Sequence, residues 1–169
     1  MPSYKLDLVN KMNDPVTPPA PKQPQLILQK IYLKDVSLES PMGIKAFQQE
    51  WKPNLTHHLQ TTFKRINDTQ CEVILTITLN AALGEPEKQE TAFIVEVQQA
   101  GLFKIQTLDE NTVKQLVNVA CPTILFPYLR EAVDSLLVKA GFPALAIPPI
   151  NFETLYQQAL QEKPTGSAH

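Results

Sequence analysis

The chain has 169 residues, 43% of them hydrophobic and 19% charged, with a formal net charge of −2. That length fits one domain, and that balance belongs to a globular chain rather than a disordered or membranous one. With no cluster of Lys and Arg, nucleic-acid binding through a broad basic surface is disfavoured. No run approaches the ~18 apolar residues of a membrane span. Met1-Pro2-Ser3-Tyr4-Lys5 leads into no apolar core of signal-peptide length. The expected location is therefore cytoplasmic, with no direct membrane insertion.

Residues 1–24 hold six of the fifteen prolines and read as a flexible Pro-rich arm. A folded domain is expected over 25–162 and a flexible tail over 163–169. The run from Leu26 to Glu39 is extended in character, but its apolar residues fall on both parities, as in a bulged strand or one apolar on both faces. Asp35, Ser37 and Glu39 share one parity near its end. After Ser40-Pro41-Met42-Gly43 and a connector, Trp51, Pro53, Leu55, His57, Leu59, Thr61 and Phe63 alternate with polar residues, the pattern of a half-buried strand. Cys71 to Leu79 and Thr91 to Gln99 also repeat every two residues, separated by the Gly84–Glu90 hairpin tip. Phe93, Val95 and Val97 fall on one side of the latter strand, Ile94, Glu96 and Gln98 on the other. Four strands joined mostly by short links predict an antiparallel meander.

Beyond Phe103 the period changes to helical. Asp109 or Asn111 can cap a first helix that Pro122 should interrupt. A longer stripe follows from Leu125 to Ala140, with a kink or late start expected at Pro127. Gly141 suits the position just past a helix end. Asn151 can cap a last helix with an apolar stripe of Phe152, Leu155, Tyr156 and Ala159. The expected fold class is α+β: a four-stranded antiparallel sheet with helices on one face.

Chemistry is sparse. No phosphate loop or nucleophile elbow is present. His57 and His58 are adjacent and would point to opposite faces of a strand, so they do not chelate one ion. Asp35 and Glu39 lie ~13 Å apart by strand rise, too far for a glycosidase pair. Cys71 and Cys121 read as reduced, buried thiols. Neither an enzyme nor a cofactor or metal site is expected. What the chain has in excess is apolar surface: Phe47, Trp51, Leu55, Leu59, the loop from Leu145 to Ile150 and the last helix exceed what one sheet and one helix readily bury.

Four stretches resemble the SecB family of bacterial export chaperones: Ile31 to Pro41, Phe47 to Pro53, Phe93 to Phe103 and Cys121 to Glu131, with Gly141-Phe142-Pro143, Pro149 and Asn151-Phe152 extending the last. The resemblance covers Ile27 to about Leu160. It implies an ATP-independent holdase with no enzymatic activity, assembled as a homotetramer, a dimer of dimers. Unfolded secretory precursor proteins would be bound and passed to the motor SecA. By the same resemblance Asp35, Glu39, Ile94 and Glu96 match SecA-docking positions. Phe93, Val95, Val97 and Gln99 match positions that support tetramer packing. Phe47, Trp51, Leu55, Leu59, Leu155 and Tyr156 match the client groove. Ile94 and His57 replace leucines usual in the family, and the 84–90 hairpin tip is longer. Two other readings stay open: a SecB-like chaperone dedicated to one client such as an antitoxin, and a small hydrophobic-ligand carrier.

Overall fold

A computed structural model describes residues 25–107 and 109–162; the expected arm and tail lie outside the described residues. The strands are β1 (Gln25–Glu39), β2 (Asn54–Arg65), β3 (Gln70–Leu83) and β4 (Glu90–Gln106). All neighbours are antiparallel, but the spatial order is β1-β4-β3-β2. The expected simple meander is therefore corrected. Strands β2, β3 and β4 form one, while β1 crosses over to pair with β4, a Greek-key order. Hydrophobic period reports which face a residue takes, not which strand lies beside which.

In β3 every second residue from Cys71 to Leu83 is buried and the intervening ones are half-buried, as a central strand under a one-sided cover should be. β2 starts at Asn54, after Pro53, three residues later than the alternation from Trp51 suggests. It is also mostly exposed rather than half-buried, because it forms an edge that the long helix does not cover.

The mixed parity of β1 has a specific cause. Register shifts lie between Leu28 and Lys30 and between Leu33 and Asp35, leaving Gln29 and Lys34 as extra residues. Each bulge moves the following residues to the opposite face. Leu26 and Leu28 therefore pair with Ile105 and Phe103, Ile31 and Leu33 with Gly101 and Gln99, and Val36 and Leu38 with Val97 and Val95. All six stay on the helix side despite changing parity twice.

The helical layer begins at α1 (Glu110–Gln115). Asp109 caps it, its carboxylate accepting from the backbone N–H of Thr112 at 2.8 Å. Pro122 does not interrupt the helix, contrary to expectation. A wide π-helical turn at Leu116–Ala120 leads directly into α2 (Cys121–Lys139), with Pro122 in its first turn. A proline cannot donate to the carbonyl four residues earlier, and the wide turn lies where that bond would fall. α2 then runs through Pro127 rather than starting after it. It packs on β3 and β4, burying Leu125, Leu129, Val133 and Leu137. Close approach requires Gly101 beneath it: a Cβ there would lie 2.5 Å from the Phe103 ring and 3.0 Å from Leu125.

Gly141, at φ +89°, terminates α2. Its N–H donates to the carbonyl of Val138, and that of Phe142 to Leu137 at 2.9 Å, the paired bonds of a Schellman motif. The reversal drives Phe142 into an aromatic cluster, with ring centroids 5.0 Å from Phe47, 5.4 Å from Trp51 and 5.0 Å from Phe93. After the 143–150 loop, Asn151 caps α3 (Phe152–Gln161), accepting from Thr154 N–H at 3.0 Å.

Candidate functional site

The two sides of the sheet carry different chemistry. On the side away from the helices, Asp35, Ser37 and Glu39 pair with Gln98, Glu96 and Ile94 of β4, and these pair in turn with Thr76, Thr78 and Asn80 of β3. Cross-strand partners share a face, so Asp35, Glu39, Ile94 and Glu96 form one acidic patch in a polar surround. The Glu96 carboxylate is oriented by Thr78 Oγ1, which donates at 3.1 Å, and by Gln98 Nε2 at 3.4 Å. Among the described residues, no Lys, Arg or His forms an ion pair with Asp35, Glu39 or Glu96. The patch thus holds negative charge uncompensated by contact.

Further along this face sits a second group. Glu72 of β3 accepts from Lys34 Nζ at 2.8 and 2.9 Å, and from the Tyr32 hydroxyl. The hydrogen bond from Lys34, followed by that from Tyr32, holds the Glu72 carboxyl below its usual range. Reciprocally, the bond to Glu72 pushes the Tyr32 phenol up to about 12, with burial contributing second. The signs give different pH windows. The Glu72 contribution to stability is present above the unfolded carboxylate value of ~4.3 and is lost as pH falls through the lower folded value. The Tyr32 contribution is present below ~10 and lost as pH rises through the folded value. Glu72→Gln should therefore be less stable than the parent at pH 7, with the difference narrowing in urea melts as the pH falls below about 4. A difference independent of pH would contradict this assignment.

The helix side carries an apolar groove along β2. Phe47 and Trp51 enter the Phe142 aromatic cluster at one end. Next, Leu55 and His57 of β2, Ile77 and Leu79 of β3, and Leu145, Ala146, Ile147, Pro148 and Ile150 of the loop line a cavity of about 270 Å³. Leu59 and Thr61 then meet Phe152, Leu155, Tyr156 and Ala159 of α3, with Asn118, around about 190 Å³. Phe47, Leu55 and Leu155 remain 49%, 42% and 46% exposed. The structure therefore distributes the six expected groove residues over three adjoining parts of one surface. It adds the loop residues, which carry no site signal beyond an unusually apolar connection, while the buried Phe142 backs the aromatic end from within the core.

The other four expected positions lie elsewhere. Phe93, Val95 and Val97 are fully buried and Gln99 is 3% exposed, all on the helix side of the sheet. None presents a surface to a second copy. Phe93 stacks on Trp51, with centroids 6.1 Å apart. The buried Gln99 amide donates to the Tyr32 carbonyl at 3.0 Å. Any support these residues give to assembly must pass through the elements packed on them. Among the described residues, no group of His, Cys, Asp or Glu is placed to hold a metal, and no helix is long and apolar enough to cross a membrane.

An acidic face without paired cations and an open apolar groove thus occupy opposite sides of one sheet. Comparison with known proteins is specific. Residues 19–163 match the SecB family, described as preprotein translocase subunit SecB. A protein-export protein SecB of Hahella chejuensis is 48% identical over 144 residues, covering 85% of this chain and 88% of its own. That of Marinobacter nauticus is 46% identical, covering 83% of each. A solved SecB-like chaperone from Mycobacterium tuberculosis, in complex with a peptide from an antitoxin, aligns with a TM-score of 0.57 at 14% identity. It covers 74% of this chain and 90% of that one, a likeness of fold. The chain belongs to the SecB family.

Proposed function

We propose that this protein is a cytoplasmic, ATP-independent export chaperone that holds secretory precursors unfolded and delivers them to SecA. The observation that carries this reading is the division of one sheet into an acidic face without paired cations and an apolar groove on the helix side. Asp35, Glu39, Ile94 and Glu96 are the SecA-docking residues. Phe47, Trp51, Leu55, Leu59, Leu155 and Tyr156, joined by the 143–150 loop and backed by the buried Phe142, form the client groove.

The physics suits a holdase. Many client sequences must be accepted, which favours non-directional apolar contact over hydrogen-bond readout. Burying one large side chain contributes only ~1.5–3 kcal/mol, so one client must occupy several weak sites. A tetramer multiplies those sites and raises avidity without new contacts. Binding the unfolded chain draws a client away from its native state by mass action, with no need for ATP.

Assembly as a dimer of dimers also fits the exposed apolar surface. Among the described residues, β1 is a fifteen-residue edge strand with an unpaired outer side. Its helix-side residues Leu28, Leu33 and Val36 are 37%, 51% and 41% exposed, and Tyr128 and Val138 project from α2. An edge of that length with apolar flanks favours pairing with another copy.

Native mass spectrometry with and without one chemically unfolded precursor tests the reading. A tetramer that takes up the unfolded chain and ignores the folded protein is expected. A tetramer that ignores both would favour a chaperone dedicated to another client, and a monomer would remove the assembly argument. In the same assay the double variant Leu55→Ser, Leu155→Ser should weaken client uptake by roughly an order of magnitude or more, at about 1 kcal/mol per half-exposed site. Unchanged uptake would place the groove elsewhere.

A further inference from the structure

The acidic face exists only because β1 is held in one register. Without the second bulge, the register of Leu33 with Gln99 would continue as Lys34 opposite Gln98, Asp35 opposite Val97, Val36 opposite Glu96 and Glu39 opposite Phe93. Both carboxylates would then turn towards α2, and Val36 and Leu38 would occupy the outer face. Apolar burial restrains this strand only in part: Leu26, Ile31 and Leu38 pack against the core. β1 is an edge, and its helix-side residues Leu28, Leu33 and Val36 stay partly exposed. Half of the apolar positions on that side thus add little to the register, which leaves part of its selection to polar contacts.

Both extra residues of β1 are tied by their side chains across β4 to the same stretch of β3. Gln29 Oε1 accepts from Gln70 Nε2 at 2.6 Å, and Lys34 Nζ donates to the Glu72 carboxylate at 2.8 Å. Tyr32 donates to the same carboxylate. From the opposite side of the sheet, Gln99 donates to the Tyr32 carbonyl beside the second bulge. Ala100 pairs with both Tyr32 and Ile74, so the Tyr32 and Lys34 side chains reach Glu72 past a small residue on the outer face of β4. Each inserted residue thus has a polar partner that it would lose if the strand slid by one position.

We propose that Lys34 and Gln29 are positioning residues. Through Glu72 and Gln70 they lock the β1 register that presents Asp35, Ser37 and Glu39 beside Glu96 and Ile94. The proposal deepens the docking reading given above and rests on it for its functional consequence. The role differs from direct contact. Lys34 carries charge opposite to that of the patch, and it acts through Glu72, which lies on β3 outside the patch.

The test is a charge exchange in the full-length protein: Lys34→Glu, Glu72→Lys and the two combined. SecA affinity is measured by titration calorimetry. Register is read independently from intrachain disulfide yield in the Ser37→Cys, Glu96→Cys pair against the Val36→Cys, Glu96→Cys pair. Each single reversal should weaken SecA binding about tenfold or more. It should also lower the disulfide yield of the Ser37→Cys pair and raise that of the Val36→Cys pair, with uptake of unfolded precursor retained. The combined exchange should restore both readouts to near the parent values. Lys34→Gln, which removes the charge without reversing it, should give the same direction of change should a reversal prevent folding. Parent-like register in all variants would overturn the proposal. So would a combined exchange that binds SecA as poorly as Lys34→Glu, because Lys34 would then act by touching the partner. Glu96→Lys separates the two layers of inference. If it leaves SecA binding intact, the docking reading fails, and the cross-link yields alone decide the register lock.

Discussion

Glu96→Lys should abolish SecA binding and leave the uptake of unfolded precursors unchanged. Glu96 sits in the middle of the acidic face, paired with Ser37 on one side and Thr78 on the other. Its carboxylate is already oriented by Thr78 and Gln98, so little ordering is needed when a cationic partner arrives. Losing one partner of a desolvated, hydrogen-bonded charge pair typically costs about 2–5 kcal/mol, and reversal adds repulsion of the incoming cation. That loss corresponds to a Kd weaker by roughly 30-fold to several thousandfold. The proposed client groove lies on the other side of the sheet, separated from Glu96 by a fully buried layer that includes Val95 and Val97. Parent SecA binding should also weaken with added salt, because exposed charges are screened beyond about 8 Å at physiological ionic strength. Client binding through apolar contact should not weaken in this way. Calorimetry against SecA and against an unfolded precursor, at two salt concentrations, reads all of this. Loss of both activities together would show that the docking assignment is wrong.

Val95→Tyr should lower stability and shift the assembly from tetramer to dimer. Val95 has no exposed surface and lies between Leu38 of β1 and Leu79 of β3, on the face that packs against the helical layer. A phenol ring has no room there, and overpacking of this kind costs about 1–3 kcal/mol. The strain must be relieved by displacing β1 or the helical layer. Those elements also carry Leu33, Val36, Tyr128 and Val138, the exposed apolar residues proposed to meet another copy. The effect on assembly would therefore be indirect. Val138→Asp supplies the contrast: it should disturb assembly without destabilising the folded chain, since Val138 is 60% exposed. Native mass spectra and urea melts distinguish the two. An unchanged tetramer for Val95→Tyr would show that the fold absorbs the ring without transmitting it.

Much of this molecule could be read from one-dimensional pattern. Two-residue alternation in β3 and β4 separates the acidic face from the buried one, because a strand sends successive side chains to opposite sides whatever lies beside it. The caps at Asp109 and Asn151 and the stop at Gly141 are equally local, since their hydrogen bonds close within a few residues. The long ordered motifs from Ile31 to Pro41 and from Cys121 to Glu131 point to the SecB family, which the comparisons establish.

What pattern could not supply is everything decided between distant segments. The crossing of β1 to β4 depends on pairing residues 55 to 81 positions apart, and no short-range period encodes it. The helix continues through Pro122 because a wide turn absorbs the missing donor, a geometric remedy invisible to propensity. Phe93, Val95, Val97 and Gln99 are alike in parity to residues that could line an interface, yet the packing of α2 over the sheet buries them within one chain. The groove is made when the 143–150 loop and α3 fold back over β2, which turns three separate apolar stretches into one surface. Local pattern thus determines the faces, the helix ends and the family, because those depend on nearest neighbours and on motifs. Strand order, the phase of β1 and the choice of apolar residues left exposed are settled in three dimensions. They follow from long-range pairing and from where a single long helix can lie on a four-stranded sheet.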